Sequence, residues 1–377
     1  FNSYLIQSIN YFKYLKSTNS FKSYSNKLRN VIKQTGVLNY RMGRLNAIST
    51  SIKEPIIICI VSLVIVIQLK WMGTGLDTII LSLLLFYRAL TYLILIQSSW
   101  QKFVEFSGGM NSVAVMTQHM DAAQEKFGVQ KVNQIKEQIE FKDVVFYYDT
   151  KIALDNINLT IPAKQTIALI GESGSGKTTI ANMIAGLFLP NEGQILIDGQ
   201  PIANLDVNQY RSKIGYISQE SVIFNDTIFN NITFWAEPTA ENLRRFHEVV
   251  EMASLKEFIE NQPQKEQTNL GDNGILVSGG QKQRISIARE LYKDAELLIL
   301  DEATSALDSE TEKMIQENIE KLHGSYTMVL IAHRLSTIKE ADIIYLLEDG
   351  KISASGSFYE MIDKSSRFKK MVSLQAV

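Results

Sequence analysis

Residues Gly171-Glu-Ser-Gly-Ser-Gly-Lys-Thr-Thr179 spell G-x-x-x-x-G-K-T, between an apolar run, Thr166-Ile-Ala-Leu-Ile170, and a helical pattern, Ile180-Ala-Asn-Met-Ile-Ala-Gly-Leu187. A glycine-rich loop between a strand and a helix turns its backbone N–H groups inward around an anion at the helix N-terminus. Gly171, Ser173, Gly174, Ser175 and Gly176 shape that cradle in this reading, and Thr179 closes it. Lys177 reaches the terminal phosphates of a nucleotide, and the Thr178 hydroxyl can ligate magnesium. A glycine-rich turn with no ligand is the bland alternative, and the flanking strand and helix patterns argue against it.

The 377 residues are enough for two or three domains, and the net charge of −2 hides an uneven distribution. Residues 1–54 carry nine Lys or Arg (Lys13, Lys16, Lys22, Lys27, Arg29, Lys33, Arg41, Arg44, Lys53) against one acid, Glu54. An apolar run follows directly, as on the cytoplasmic flank of a membrane helix. A basic nucleic-acid arm is the alternative, and no nucleic-acid partner is expected. The single cysteine, Cys59, lies inside the apolar run and excludes an internal disulfide. The chain starts at Phe1 rather than Met, and its N-terminus is read as cut or missing.

Two segments approach membrane-spanning length, about 55–72 and about 78–98, joined by a turn at Gly73-Thr-Gly-Leu-Asp77. Buried core helices of a soluble domain rarely run apolar on every face at this length. Polar residues before Pro55 and after Ile96 keep helical spacing, so both helices should extend into the cytoplasm. Residues 127–138 read as a linker, and from Ile139 the pattern alternates between strands and helices, implying a parallel sheet with ligand at the strand carboxyl ends. The expected fold is thus a partial membrane α-helical domain over 1–126, then an α/β P-loop NTPase cassette with a helical subdomain over 139–377.

The apolar strand Leu297-Leu-Ile-Leu300 ends in Asp301-Glu302. A buried strand puts Asp301 beside the magnesium and Glu302 at the attacking water, as general base or orienter.

From Ile139 to Val377 the chain resembles the nucleotide-binding domain of an ATP-binding cassette transporter. The resemblance implies ATP and Mg2+ as cofactors, with magnesium on Thr178, Gln219 and Asp301. Tyr148 matches the aromatic that stacks on adenine, Gln219 the Q-loop glutamine, and His333 the switch histidine that contacts the γ-phosphate. Val277-Ser-Gly-Gly-Gln281 matches the signature motif, with Val where the family usually has Leu; Thr178 stands where it usually has Ser. In that family two cassettes dock head to tail, so Ser278, Gly279, Gly280 and Gln281 complete the ATP site of a second copy or a homologous half. With Glu302 and His333 both present, two equivalent competent sites in a homodimer are expected.

Membrane segments ahead of the cassette resemble exporter-type half-transporters, as does Thr268-Asn-Leu-Gly-Asp-Asn-Gly274, which has Asp272 for the usual Glu. Residues 7–16 resemble the second coupling segment, so the chain resembles the C-terminal portion of a six-helix half. The implied function is ATP-hydrolysing export or flipping across the cytoplasmic membrane, multi-pass, with the cassette on the cytoplasmic side. Tyr87-Arg88-Ala-Leu90 and Glu54-Pro-Ile56 resemble lipid-linked oligosaccharide flippases, and Arg88 at mid-membrane depth suits an anionic, amphipathic cargo as well as it suits a structural ion pair. A peptide or drug exporter stays open, as do a soluble cassette ATPase of DNA repair or translation and a remnant that binds ATP without moving cargo.

Overall fold

The computed structural model describes residues 2–72, 76–125, 127–132, 134–301, 309–331 and 338–375, with side chains left aside at 71, 72, 76–78, 309–312, 316, 374 and 375. Of the expected turn at 73–77, residues 73–75 lie outside the described residues and Leu76-Asp77 already belong to a helix; Glu302 and His333 also lie outside the described residues. The chain divides into two compact units, Phe1–Gln124 and Glu125–Val377.

The first unit is helical. Two short helices, α1 (Asn2–Asn10) and α2 (Phe12–Ser17), split the segment read as a coupling element at Tyr11. The Phe12 ring meets Phe21 edge-on at 5.5 Å, and the Tyr24 hydroxyl donates to the Tyr4 carbonyl at 3.2 Å, seating both against the start of α3. Helices α3 (Phe21–Ile67) and α4 (Leu76–Ala122) each contain a stretch long and apolar enough to cross a membrane, with mean hydropathy 2.3. Both run well beyond the apolar stretches at their polar ends, passing through Gly36, Gly43, Gly108 and Gly109 without breaking. Pro55 sits inside α3, where it removes one backbone donor from the ladder. Within this unit the apolar side chains point outward: Ile58 is 65% and Ile96 65% exposed. An exposed apolar surface this continuous needs lipid or another protein to cover it. A polar cross-link between the helices is made where the Gln101 amide nitrogen donates to Asn46 Oδ1 at 2.6 Å.

The second unit is α/β. Its strands and helices run β1 (Gln138–Tyr148), β2 (Lys151–Pro162), β3 (Thr166–Gly171), α5 (Lys177–Ile184), β4 (Glu192–Ile197), β5 (Gln200–Pro201), α6 (Val207–Ser212), β6 (Ile214–Ile217) and α7 (Ile228–Thr233). They continue α8 (Ala240–Met252), α9 (Lys256–Glu260), α10 (Gly279–Tyr292), β7 (Leu297–Asp301), α11 (Ser309–Glu320), β8 (Thr327–Ile331), β9 (Ile343–Glu348), β10 (Lys351–Gly356), α12 (Phe358–Lys364) and α13 (Ser366–Gln375). Among the described residues, one sheet has the order β10-β9-β3-β8-β7-β6, parallel except for β10. An antiparallel sheet has the order β2-β1-β4-β5.

Strand β3 is buried along its whole length, as a central parallel strand must be. Its alternate residues serve two cores: Ile167 and Leu169 pack with α5 and the antiparallel sheet, while Ala168 and Ile170 pack with Ile344, Leu346, Met361 and Phe368. Leu298, Leu300, Met328 and Leu330 face a third core formed with the helices from α7 to α10. The segment read from sequence as a linker packs into this unit. Val132 and Ile135 are buried in the first core, and the N–H groups of Lys136, Glu137 and Gln138 donate to the Asp198 carboxylate at 2.8–3.0 Å. Its two spaced aliphatic side chains and a distant carboxylate, invisible in local composition, tie it down.

Candidate nucleotide site

The loop between β3 and α5 takes its form from its glycines. Gly174 (φ +82°) and Gly176 (φ +106°) occupy the left-handed region, and a Cβ on Gly176 would lie 2.6 Å from Leu154 Cδ2. Lys177 is buried at 6% exposure, and its Nζ donates to the carbonyls of Gly171 and Glu172 at 2.8 Å each. The Ser175 hydroxyl is buried and has no hydrogen-bond partner among the described residues, whereas buried hydroxyls are normally paired.

Beside this loop opens a pocket of about 550 Å³, within the range of small-molecule sites. It brings together Tyr148, Ser173, Gly174, Gly176, Lys177, Thr178, Thr179 and Gln219 of the residues expected from sequence. Gly171 and Ser175 do not line it, and neither does Asp301, buried at the end of β7. Tyr148 is half exposed at the mouth, its ring edge-on to Phe146 at 5.0 Å and to Phe188 at 5.9 Å.

Sequence reasoning missed other lining residues: Lys151, Ile152 and Ala153 of β2, Ile331 at the end of β8, and Asp349-Gly350 in the β9–β10 turn. The Asp-Gly pair signals a hairpin. Its reach to the pocket depends on the Asp155 N–H donating to the Gly350 carbonyl at 2.9 Å, a contact across almost two hundred residues.

The neighbourhood of Asp301 is electrostatically marked. Burial, and then the Asp301 charge, push the Tyr216 phenol up to about 12, and its hydroxyl donates to Asn182 Oδ1 on α5 at 3.2 Å. A neutral tyrosine there links the strand before Gln219 to the helix that follows the phosphate loop.

The signature residues stand at the start of α10 and do not line this pocket. Ser278 and Gln281 form a capping box: Ser278 Oγ accepts the Gln281 N–H at 3.3 Å, and Gln281 Oε1 accepts the Ser278 N–H at 2.9 Å. The first-turn N–H groups of Gly279 and Gly280 have no carbonyl to bond within their own helix. Arg289, further along α10, is buried at 4% exposure and was not singled out from sequence. Its guanidinium donates to the Asn231 carbonyl (2.5 Å), the Val222 carbonyl (2.8 Å) and Asn231 Oδ1 (3.0 Å). It thereby joins the signature helix to the segment that follows Gln219.

Residues 154–305 match the ABC transporter family model. The chain is 42% identical over 251 residues to an ATP-dependent lipid A-core flippase of Ralstonia nicotianae, covering 66% of this chain and 42% of that protein. It is 44% identical over 242 residues to a heterocyst differentiation ATP-binding protein of Nostoc sp., covering 64% and 40%. The chain spans about two fifths of the length of these curated relatives. A solved structure of a bacterial Atm1-family ABC exporter with ATP bound matches with a TM-score of 0.83 and 28% identity, over 99% of this chain and 66% of that one. Residues 154–305 are an ABC transporter domain, and the chain has the fold of an exporter-type half-transporter in which apolar helices precede that cassette.

Proposed function

We propose that this chain hydrolyses ATP to drive an exporter or flippase that moves an amphipathic, lipid-linked cargo across the cytoplasmic membrane, working as a head-to-tail pair with a second copy or a homologous half. The observation that carries this is one chain holding both a phosphate-loop pocket with a buried lysine and two helices of membrane-spanning length whose apolar faces it does not cover itself. The lipid-linked cargo is supported by the lipid A-core flippases among the relatives.

The pocket fits a nucleotide: its loop is preshaped, Lys177 stands among carbonyls it can exchange for phosphate oxygens, and the buried Ser175 hydroxyl has an unused bond to give. Bound ATP would supply a polarised phosphoanhydride, and Mg2+ would neutralise part of its charge. Lys177 and the loop N–H groups would hold the phosphates. Thr178, Gln219 and Asp301 would hold the metal, and Tyr148 would cover the adenine. Glu302, the next residue in sequence after Asp301, would take the proton of the attacking water, and His333 would meet the γ-phosphate. Ser278, Gly279, Gly280 and Gln281 of the second cassette would close the site with their helix N-terminus.

The test uses the chain reconstituted in proteoliposomes with Mg-ATP and a lipid-linked oligosaccharide. The cargo should stimulate hydrolysis, and Glu302→Gln should lower turnover by about a hundredfold or more while binding of the fluorescent analogue MANT-ATP persists. Near-normal turnover in Glu302→Gln removes that residue from its role. Hydrolysis indifferent to the lipid-linked oligosaccharide, yet stimulated by a peptide or drug, overturns the cargo assignment.

A further inference from the structure

Helix α13, the last of the chain, is fastened beneath the strand that feeds the phosphate loop. Its Phe368 is 2% exposed and packs with Ala168 and Ile170 of β3 and with Leu346 of β9. The preceding residue, Arg367, grips two carboxylates with one guanidinium: Nη2 pairs with Glu172, and Nη1 meets Glu348 Oε1 at 2.9 Å. Glu172 is the second residue of the phosphate loop. Its own carbonyl accepts Lys177 Nζ at 2.8 Å and the Ser175 N–H at 3.2 Å. Glu348 immediately precedes Asp349-Gly350, a turn that also lines the pocket, and β3 and β9 are neighbours in the sheet, with Gly171 paired to Leu347. A single side chain therefore ties the phosphate loop to the strand end that leads into this turn.

We propose that Arg367 is a positioning residue of the nucleotide site, holding the phosphate loop and the Asp349-Gly350 turn in register so that helix α13 sets how tightly the pocket grips ATP; this rests on the pocket being the ATP site. Exposed ion pairs generally contribute little, and the Glu172 side chain is 80% exposed. Three features strengthen this one. The arginine is rooted beside a buried phenylalanine, its planar fork serves two carboxylates at once, and both carboxylates stand on elements that line the pocket. The expected effect is accordingly modest in size and specific in sign.

The sign separates positioning from simple charge. A carboxylate on the phosphate loop repels a polyanion, so charge alone makes Glu172→Gln bind ATP more tightly. Loss of the clamp makes it bind more weakly. The experiment is fluorescence titration of the full 377-residue chain in detergent with MANT-ATP, alongside the thermal midpoint of the nucleotide-free protein. Glu172→Gln and Arg367→Gln should each raise Kd about three- to tenfold with midpoints near wild type, and Arg367→Lys should fall between Arg367→Gln and wild type. The double variant should bind no more weakly than Arg367→Gln, because both changes break one clamp. Tighter or unchanged binding by Glu172→Gln, or two losses that cancel in the double variant, overturns the proposal. So does a lowered midpoint with an unchanged Kd, which marks a purely structural pair. Lys177→Ala serves as the control: if it binds MANT-ATP like wild type, the ATP-site reading itself falls.

Discussion

Replacing Arg289 tests whether the signature helix is held to its surroundings by a buried cation or merely by packing. The side chain leaves α10 and is almost wholly buried, with three donated bonds to Asn231 and Val222 and with the Phe224 and Phe234 ring centroids 5.3 and 5.5 Å from its guanidinium carbon. Burial pulls its affinity for a proton below that of an ordinary arginine, and neighbouring Glu290 partly restores it. Truncation to alanine strips these bonds from the Asn231 and Val222 carbonyls and opens a cavity. Leaving a buried acceptor unpaired costs about 1–3 kcal/mol, so the two stranded carbonyls and the cavity together cost about 3–5 kcal/mol. A domain of this size loses about 2–4 °C per kcal/mol, so Arg289→Ala should melt about 6–20 °C below wild type.

The informative comparison is Arg289→Met, which keeps an apolar stem of similar length without the charge or its donors. If the hydrogen bonds matter, the methionine variant should recover only part of the loss in a thermal melt of the detergent-purified chain. Arg289→Lys, with the charge but no fork, should fall between wild type and alanine. A methionine variant melting within about 2 °C of wild type would refute the reasoning, since a well-packed apolar replacement can equal a buried ion. Turnover in Arg289→Lys adds a functional readout, because Val222 and Phe224 follow closely on Gln219.

Glu290 gives a pH-dependent test. Burial raises its pKa above the ordinary carboxyl value of 4.5, against the pull of Lys293 and a hydrogen bond from the Tyr216 N–H. Folding thus favours the protonated form, and the stability it adds below pH 4.5 is lost as pH rises through the folded value. Glu290→Gln should therefore raise the melting temperature at pH 7.5 and give no gain near pH 4.5, and an equal gain at both would show that its charge is not the cause. In α4, Arg88 is exposed within its unit. If it recognises an anionic cargo, Arg88→Ala should abolish cargo-stimulated ATPase and leave basal ATPase intact, with Arg88→Lys partly active. Loss of basal activity would instead mark a structural ion pair.

What could be read in advance follows the range of the physics involved. The phosphate loop is legible because each position answers a local demand: left-handed backbone at Gly174 and Gly176, and a helix opening at Lys177. The same holds for Ser278 and Gln281, whose spacing is that of a capping box. The apolar stretches of α3 and α4 show as hydropathy, and their polar extensions as helical spacing. Lys151, Asp349 and Arg367 left no such trace. Asp349 belongs to the site because β9 lies beside β3 in the sheet, with Gly171 in register with Leu347, while Lys151 arrives on β2 of the other sheet and Arg367 on α13.

That register also explains why the glycine at the head of the loop cannot be replaced quietly. A Cβ on Gly171 would lie 2.3 Å from the Leu347 carbonyl oxygen and 2.7 Å from Ser175 Oγ. The loop is thus pressed directly against the strand whose end carries Glu348, Asp349 and Gly350. Sequence shows Gly171 as the first letter of a motif, while the fold shows it as the close contact between β3 and β9 from which the loop and the Asp349-Gly350 turn depart. Arg367 bridges Glu172 and Glu348, the residues that follow this contact on the two strands. A close backbone approach sets the distance there, and a two-carboxylate clamp from the C-terminal helix holds it.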